Sequence, residues 1–404
     1  MIPMQWENKV TCEVGRMESL CVLQKDDGQI LPALSVFSSL AESFLQKLSA
    51  CLMADSLAKS YPDVITFAFF CRRSHIRQLA KNFAGTGERL GRGVVFHIAP
   101  SNVAMNFAYS WVAALLAGNA SVVRLPSKSF PQVEIICKAV RQVLADMPEL
   151  VPYIYFLRYG HDEDVNTALS ALCSTRVIWG GDKTIREIRN FPLGIRANEI
   201  VFADRFGLVV IDSDAYLQAD NLERIAQDFF NDTYLSDQNA CNSPRFVIWL
   251  GTNKVQARAK FWWQLQELLD KHYELGAVQV VDKLVKTCLL GAECECKLQD
   301  TANNLLTRVE VKSLTRELIE YTGNSGFFIE YEADELTDIK PVLTERCQTI
   351  SYYGAVKEDI LSVVKDSGCR GGDRIVPMGR TLDFSLIWDG YNLISAMSRE
   401  IDVV

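Results

Sequence analysis

Apolar positions set the first divisions of the chain. Over residues 36–58, Phe37, Leu40, Phe44, Leu45, Leu48 and Leu52 recur at three- and four-residue spacings, which predicts a helix with one buried face. From residue 94 the pattern becomes short apolar runs separated by helical stretches. VVFHIA (94–99), SVVRL (121–125), YIYFL (153–157) and RVIW (176–179) read as strands. Between them, helices are predicted over 104–117, from Pro131 to about 147, over 162–172 and over 182–190. Strand and helix alternate about every 25 residues, the pattern of βαβ units and of a parallel sheet covered on both faces. Beyond it come a strand at 207–212, a helix at 219–234 and the polar loop SDQNACNSP (236–244). A strand at 245–251 and a helix at 254–273 follow, then strands near 277–281, 307–312 and 326–331 and a helix near 356–366.

At 404 residues the chain is long enough for two or three domains. Apolar residues at 49% and charged residues at 23% exclude a disordered or fibrous chain. The net charge of −8 argues against a protein that coats nucleic acid by neutralising phosphates. From Val94 to Val123 no Asp, Glu, Lys or Arg occurs, yet Pro100, Ser101, Asn102, Asn106 and Asn119 interrupt the stretch. Its densest apolar part is too short for a membrane span, which needs about 20 apolar residues. A buried element is expected there, and no membrane span.

The 12 cysteines are scattered without a C-x-x-C pair, and the 4 histidines lie far apart, so no metal site is expected. With no signal-like start, a reducing cytoplasm is the expected compartment.

Common nucleotide signatures are absent: GTGERLG (85–91) has one residue too many for a dinucleotide fingerprint and precedes a strand. Four segments carry chemistry. In HIAPSNVAMNF (97–107), Asn102 and Asn106 lie among apolar residues, where an amide without partners costs roughly 1–3 kcal/mol, so each is expected to have a hydrogen-bonding duty. Asn102 reads either as a helix cap or as a donor to a developing oxyanion. Arg124 and Lys128 follow the second strand, where cations suit a 2′-phosphate and hence NADP, or are simply solvated. Gly180 and Gly181 allow a phosphate to approach a helix start, and also make an ordinary turn. Cys241 stands in a polar loop without the apolar neighbours of a structural thiol, which points to a nucleophile. On residue types alone a Cys-His-Asn hydrolase stays open.

HIAPSNVAMNFAYSWVAALLAGNASVVRLPSK (97–128), DQNACNSPR (237–245) and DRIVPMGRTLDFSLIWDGYNLI (373–394) together resemble the acyl-CoA reductase family. Its best-known members are the long-chain fatty acid reductases of luminous bacteria, within the aldehyde dehydrogenase superfamily. The resemblance spans roughly residues 90–395. It implies an α/β fold of the aldehyde-dehydrogenase kind, with a Rossmann-type cofactor domain and a second α/β catalytic domain. The expected bounds are 1–207 for the helical segment and dinucleotide-binding domain, and 208–376 for the thiol domain. Residues 377–404 would return to the cofactor domain or form an oligomer interface.

By the same resemblance Cys241 takes the acyl group as a thioester, and Asn102 with the Cys241 N–H holds the oxyanion. Arg124, Ser127 and Lys128 line the adenosine end of NADPH, Gly180 and Gly181 its phosphates, and Glu345 holds the nicotinamide ribose. The implied reaction is NADPH-dependent reduction of a fatty acyl-CoA, or an acyl carrier's thioester, to the aldehyde. Homo-oligomers and an acyl-protein synthetase partner are implied as well. One departure counts against acid formation: the segment EIVFADRFG (199–207) lacks the Glu-Leu-Gly-Gly pattern whose Glu activates water, and neither Glu199 nor Asp204 matches it. A Cys-dependent aldehyde dehydrogenase making acids and a catalytically silent dehydrogenase-like subunit are the alternatives.

Overall fold

The computed structural model describes residues 6, 9–17, 20, 31–83, 87–101 and 103–403. Asn102 and the start of GTGERLG, Gly85 and Thr86, lie outside the described residues. The chain divides into two units, Met1–Ala203 with Leu386–Val404, and Asp204–Ser385.

In the first unit, Ser38 caps the helix Ser39–Ala54 by accepting the Ala41 N–H at 3.2 Å, and Phe44, Leu45, Leu48 and Leu52 form its buried face. Two further helices, Pro62–Phe70 and Arg73–Phe83, pack behind it. Strand β1 (Thr11–Val14) precedes them, and β2 (Arg89–Gly91) follows. The alternation then gives β3 (Val94–Ile98), β4 (Ala120–Arg124), β5 (Ile154–Arg158), β6 (Thr175–Trp179) and β7 (Asn198–Phe202). They form a six-stranded sheet in the order β1-β5-β4-β3-β6-β7, with β3 to β7 parallel and β1 antiparallel to β5. The order of the parallel strands reverses between β3 and β6, and open α/β sheets bind ligands beyond the carboxyl ends at such a point. The charge-free stretch is explained by the helix Asn106–Leu116, buried over nearly its whole length between β3 and β4.

The second unit holds β8 (Phe206–Asp212), β9 (Pro244–Leu250), β10 (Cys296–Leu298), β11 (Thr307–Val311), β12 (Phe327–Glu332), β13 (Cys347–Tyr353) and β14 (Arg374–Pro377). Their order is β10-β11-β12-β9-β8-β13-β14, parallel except for β10. Both faces are covered: Phe206, Leu208 and Val210 of β8 enter one apolar cluster, Val209 and Ile211 the other. Such a strand reads as an unbroken apolar run. The helix Leu222–Thr233 lies on one face with Lys254–His272.

The strand expected near 277–281 is instead the start of a helix, Ala277–Glu293. Its β-branched opening misleads, but the Gly276 N–H donates to the Gln279 side chain at 2.7 Å and the apolar spacing continues for four turns. The unit runs over 204–385, against the expected 208–376, because the segment after β14 packs back onto the Leu222–Thr233 helix.

The chain ends in the first unit, with the hairpin of β15 (Ile387–Trp388) and β16 (Tyr391–Asn392) and then β17 (Ser398–Glu400), antiparallel to β2. Asn119 ties this return in place, its Nδ2 donating to the Met397 carbonyl at 2.9 Å. Among the described residues no helix is long and apolar enough to cross a membrane.

Candidate active site

Cys241 sits at the corner of a tight turn, closed by the Ser243 N–H donating to the Ala240 carbonyl at 3.0 Å. The residues before it are held in costly backbone: Asp237 and Gln238 both adopt positive φ, 50° and 58°. Gln238 is fully buried and satisfied at both ends. Its amide donates to the carbonyls of Pro244 at 2.8 Å and Phe327 at 3.0 Å, and accepts from Gly326 N–H at 3.0 Å and Phe327 N–H at 3.2 Å. Tyr273 Oη donates to the Asp237 carboxylate at 2.8 Å. Strain fixed in this way holds a loop in one conformation. The Cys241 thiol is half-buried and in no disulfide.

The amino end of β8 draws two predicted residues to one sheet edge. The Gly207 N–H donates to the Ser243 carbonyl at 3.0 Å, and the Phe206 N–H to the Arg346 carbonyl at 2.9 Å. The Cys241 turn and Glu345 therefore flank the same strand end. A side chain at 207 would place its Cβ 2.4 Å from the Asn242 carbonyl oxygen, so glycine is what lets the turn come this close. Glu345 pairs with Arg316 at 3.0 Å and is about half exposed. Its own backbone N–H, with Arg316, Arg370 and Arg346 around it, holds its carboxyl below the usual range.

Sequence reasoning did not single out Arg245, at the start of β9. Its Nη1 donates to Thr322 Oγ1 at 3.3 Å, while its buried Nε has no partner among the described residues. Burial pulls its pKa down, and a Cys241 thiolate close by acts in the opposite sense. Gln238 was equally unmarked, although both lie inside the DQNACNSPR segment.

In the first unit, the segments after β3, β4 and β6 share the carboxyl edge of the sheet. Arg124 at the end of β4 donates to the Gly160 carbonyl at 3.0 Å and stacks over Tyr159 with 4.8 Å to the ring centre. Ser127 and Lys128 are exposed, Lys128 lying 5.3 Å over the Phe130 ring. Gly180 and Gly181 lead from β6 into the helix Asp182–Arg189, whose start carries no side-chain cap. A Cβ at Gly180 would come 3.2 Å from Thr184, a tight approach. Two glycines leading into a helix start suit a phosphate, so this edge fits a dinucleotide. Asn106 does not meet its expectation: its buried Oδ1 has no partner among the described residues. His97 is fully buried on β3 beside Ser110 Oγ at 2.8 Å, and burial drops its pKa to about 3, so it stays neutral. A cavity of about 600 Å³ lined by Gln46, Arg72, Arg73 and Arg77 contains none of these residues.

Two doubly covered parallel-sheet units, the first with its strand reversal and the second with a thiol in a strained turn, define an aldehyde-dehydrogenase-like fold. An aldehyde dehydrogenase from the moss Physcomitrella patens, solved with succinate, superposes with a TM-score of 0.65 at 11% identity, over 89% of this chain and 84% of that one. A benzaldehyde dehydrogenase from Corynebacterium glutamicum gives 0.59 at 13%, over 90% and 85%. Proline utilization A from Bradyrhizobium japonicum gives 0.63 at 14% over 89% of this chain, which spans only 42% of that protein's length. These identities establish the fold alone. The chain belongs to the acyl-CoA reductase (LuxC) family, whose model matches residues 29–400. No curated protein matches significantly.

Proposed function

We propose that this protein reduces a fatty acyl thioester to the aldehyde with NADPH, through an acyl-enzyme on Cys241. The observation that carries the reading is the thiol itself, held in a turn whose strained Gln238 is hydrogen-bonded at both ends of its amide, with Arg245 four residues further on in the same segment. A thiolate is the attacking form, and a neighbouring cation favours it. Its sulfur bonds to the thioester carbonyl carbon, and the carbon–sulfur bond to coenzyme A or a carrier thiol breaks, that thiolate leaving. The Asn102 amide and the Cys241 N–H would hold the oxyanion, a contact worth about 10²–10³ in rate per donor. NADPH, when bound, supplies the hydride. Gly180 and Gly181 would hold its phosphates, Arg124, Ser127 and Lys128 its adenosine end, and Glu345 its nicotinamide ribose. Collapse then returns the thiolate of Cys241 and releases aldehyde.

Acid formation needs a carboxylate that activates water, and Glu199 is poorly suited. It is clamped by Arg176 at 2.5 Å and Arg189 at 2.7 Å, which favours the reductive reading. Action in the cytoplasm, as a homo-oligomer fed by coenzyme A, a carrier or an acyl-protein synthetase, completes the proposal.

Labelled acyl-CoA tests it. Cys241→Ser is expected to form no hydroxylamine-sensitive acyl-protein and to oxidise no NADPH, while melting as the wild type does. An acyl-protein of normal yield in that variant would overturn the nucleophile assignment.

A further inference from the structure

Asp232, in the last turn of the Leu222–Thr233 helix, is 1% exposed yet carries a carboxylate. Its Oδ2 accepts the Gly379 N–H at 2.7 Å and its Oδ1 the Thr381 N–H at 3.0 Å. Gly379 has φ +87°, and a Cβ there would strike Asp228 at 2.8 Å, so this segment lies tight against the helix. The Thr381 carbonyl in turn accepts from Asn242 Nδ2, and from Arg374 Nη1 at 2.7 Å. Asn242 directly follows Cys241 and shares its turn. Asp232, Thr381 and Asn242 are all buried, so water does not compete for these bonds.

We propose that Asp232 is a positioning residue for the Cys241 thiol: its carboxylate fixes the 379–381 segment, whose Thr381 carbonyl fixes Asn242 and with it the turn that presents the sulfur. The inference rests on the reading of Cys241 as nucleophile. A carboxylate suits the task because it accepts from two N–H donors at once. A protonated carboxyl would turn a donor toward one of them. Burial pushes the Asp232 carboxyl up to about 6, Asp228 adds to the shift, and the Gly379 and Thr381 donors oppose it. The other charged groups around the contact are Arg224 on the same helix, and Arg374, Arg380 and Asp383 on the facing segment, where Arg380 and Asp383 pair at 2.8 Å. Near neutrality the clamp is therefore ionised, and it weakens as the pH falls through about 6.

Single-turnover acylation by acyl-CoA, followed by intact mass against pH, tests the proposal. Asp232→Asn is expected to slow acylation about 10- to 100-fold, the scale of a small misplacement of a reacting atom. It should also lose the wild-type inflection near 6, with KM for the thioester and the NADPH-induced melting shift unchanged. Asn242→Ala should slow acylation as well. The double variant should fall no further than the slower single one, since both cut one chain. Additive losses, or an Asp232→Asn enzyme with wild-type rate and inflection, would overturn the positioning role. If Asp232→Asn does not fold, Asn242→Ala decides alone, and acylation at the wild-type rate overturns it. Cys241→Ser separates the two failures. Persistent acylation there sinks the nucleophile reading and the proposal with it. Abolished acylation there beside an unaltered Asp232→Asn sinks only the proposal.

Discussion

Burying the Asp232 carboxyl has a stability consequence whose sign can be worked out. Its folded pKa, about 6, lies above the ordinary value of 3.8, so the fold prefers the protonated form. The stability it contributes is complete below about 3.8 and is lost as the pH rises through about 6. At neutral pH the ionised group costs roughly 3 kcal/mol. Melting wild type and Asp232→Asn side by side from pH 4 to 7 should show the variant gaining on wild type as the pH rises. A difference that stays constant with pH would contradict this. His97 behaves the opposite way, its stability contribution being lost on the acid side, but it is common to both proteins and cancels. Gly207 makes a steric prediction. Gly207→Ala must push backbone apart where Asn242 approaches, at a cost of about 1–3 kcal/mol. It should also change the iodoacetamide reactivity of Cys241, and unchanged stability and reactivity would refute the close approach.

The elements of the second unit are tied by one buried carboxylate. Glu330 of β12, 0% exposed, accepts from Trp249 at 2.9 Å and Trp262 at 2.8 Å, and pairs with Arg258 at 3.2 Å and Arg308 at 2.7 Å. Removing its charge strands Arg308, while Arg258 keeps Glu310 and Glu332, so Glu330→Gln should cost about 3–5 kcal/mol in denaturant unfolding. A loss under about 1 kcal/mol would show that the network is not what joins β12 to the Lys254–His272 helix. The strands that the apolar runs reveal are those buried on both faces, as in β3 to β6 and β8. β13 escaped because Gln348, Thr349 and Ser351 interrupt its run, although all three are buried. The helix Ala277–Glu293 was misread because its first residues are β-branched. Cys241 stood out because its neighbours are polar. Asp232 and Asn242 did not, because their partners on the 379–381 segment lie about 140 residues further on, and only folding brings them together.

For the whole molecule, the first unit carries a dinucleotide-type sheet edge and the second a thiol at a sheet edge, so cofactor and covalent chemistry can be tested separately. NADPH should raise the melting temperature of wild type and of Cys241→Ser alike, a ligand at 100 times its Kd adding about 2.7 kcal/mol. NADH should do so less, because Arg124 and Lys128 follow β4. An equal or larger shift with NADH would remove the 2′-phosphate assignment. The most direct test of the account is to mix the protein with acyl-CoA without NADPH, quench, digest and map the acylated peptide by mass spectrometry. The account predicts one acyl group, on Cys241 in the peptide containing DQNACNSPR, which disappears when NADPH is added as aldehyde forms. An acyl group on any other residue, or none at all while aldehyde is still produced, would contradict it.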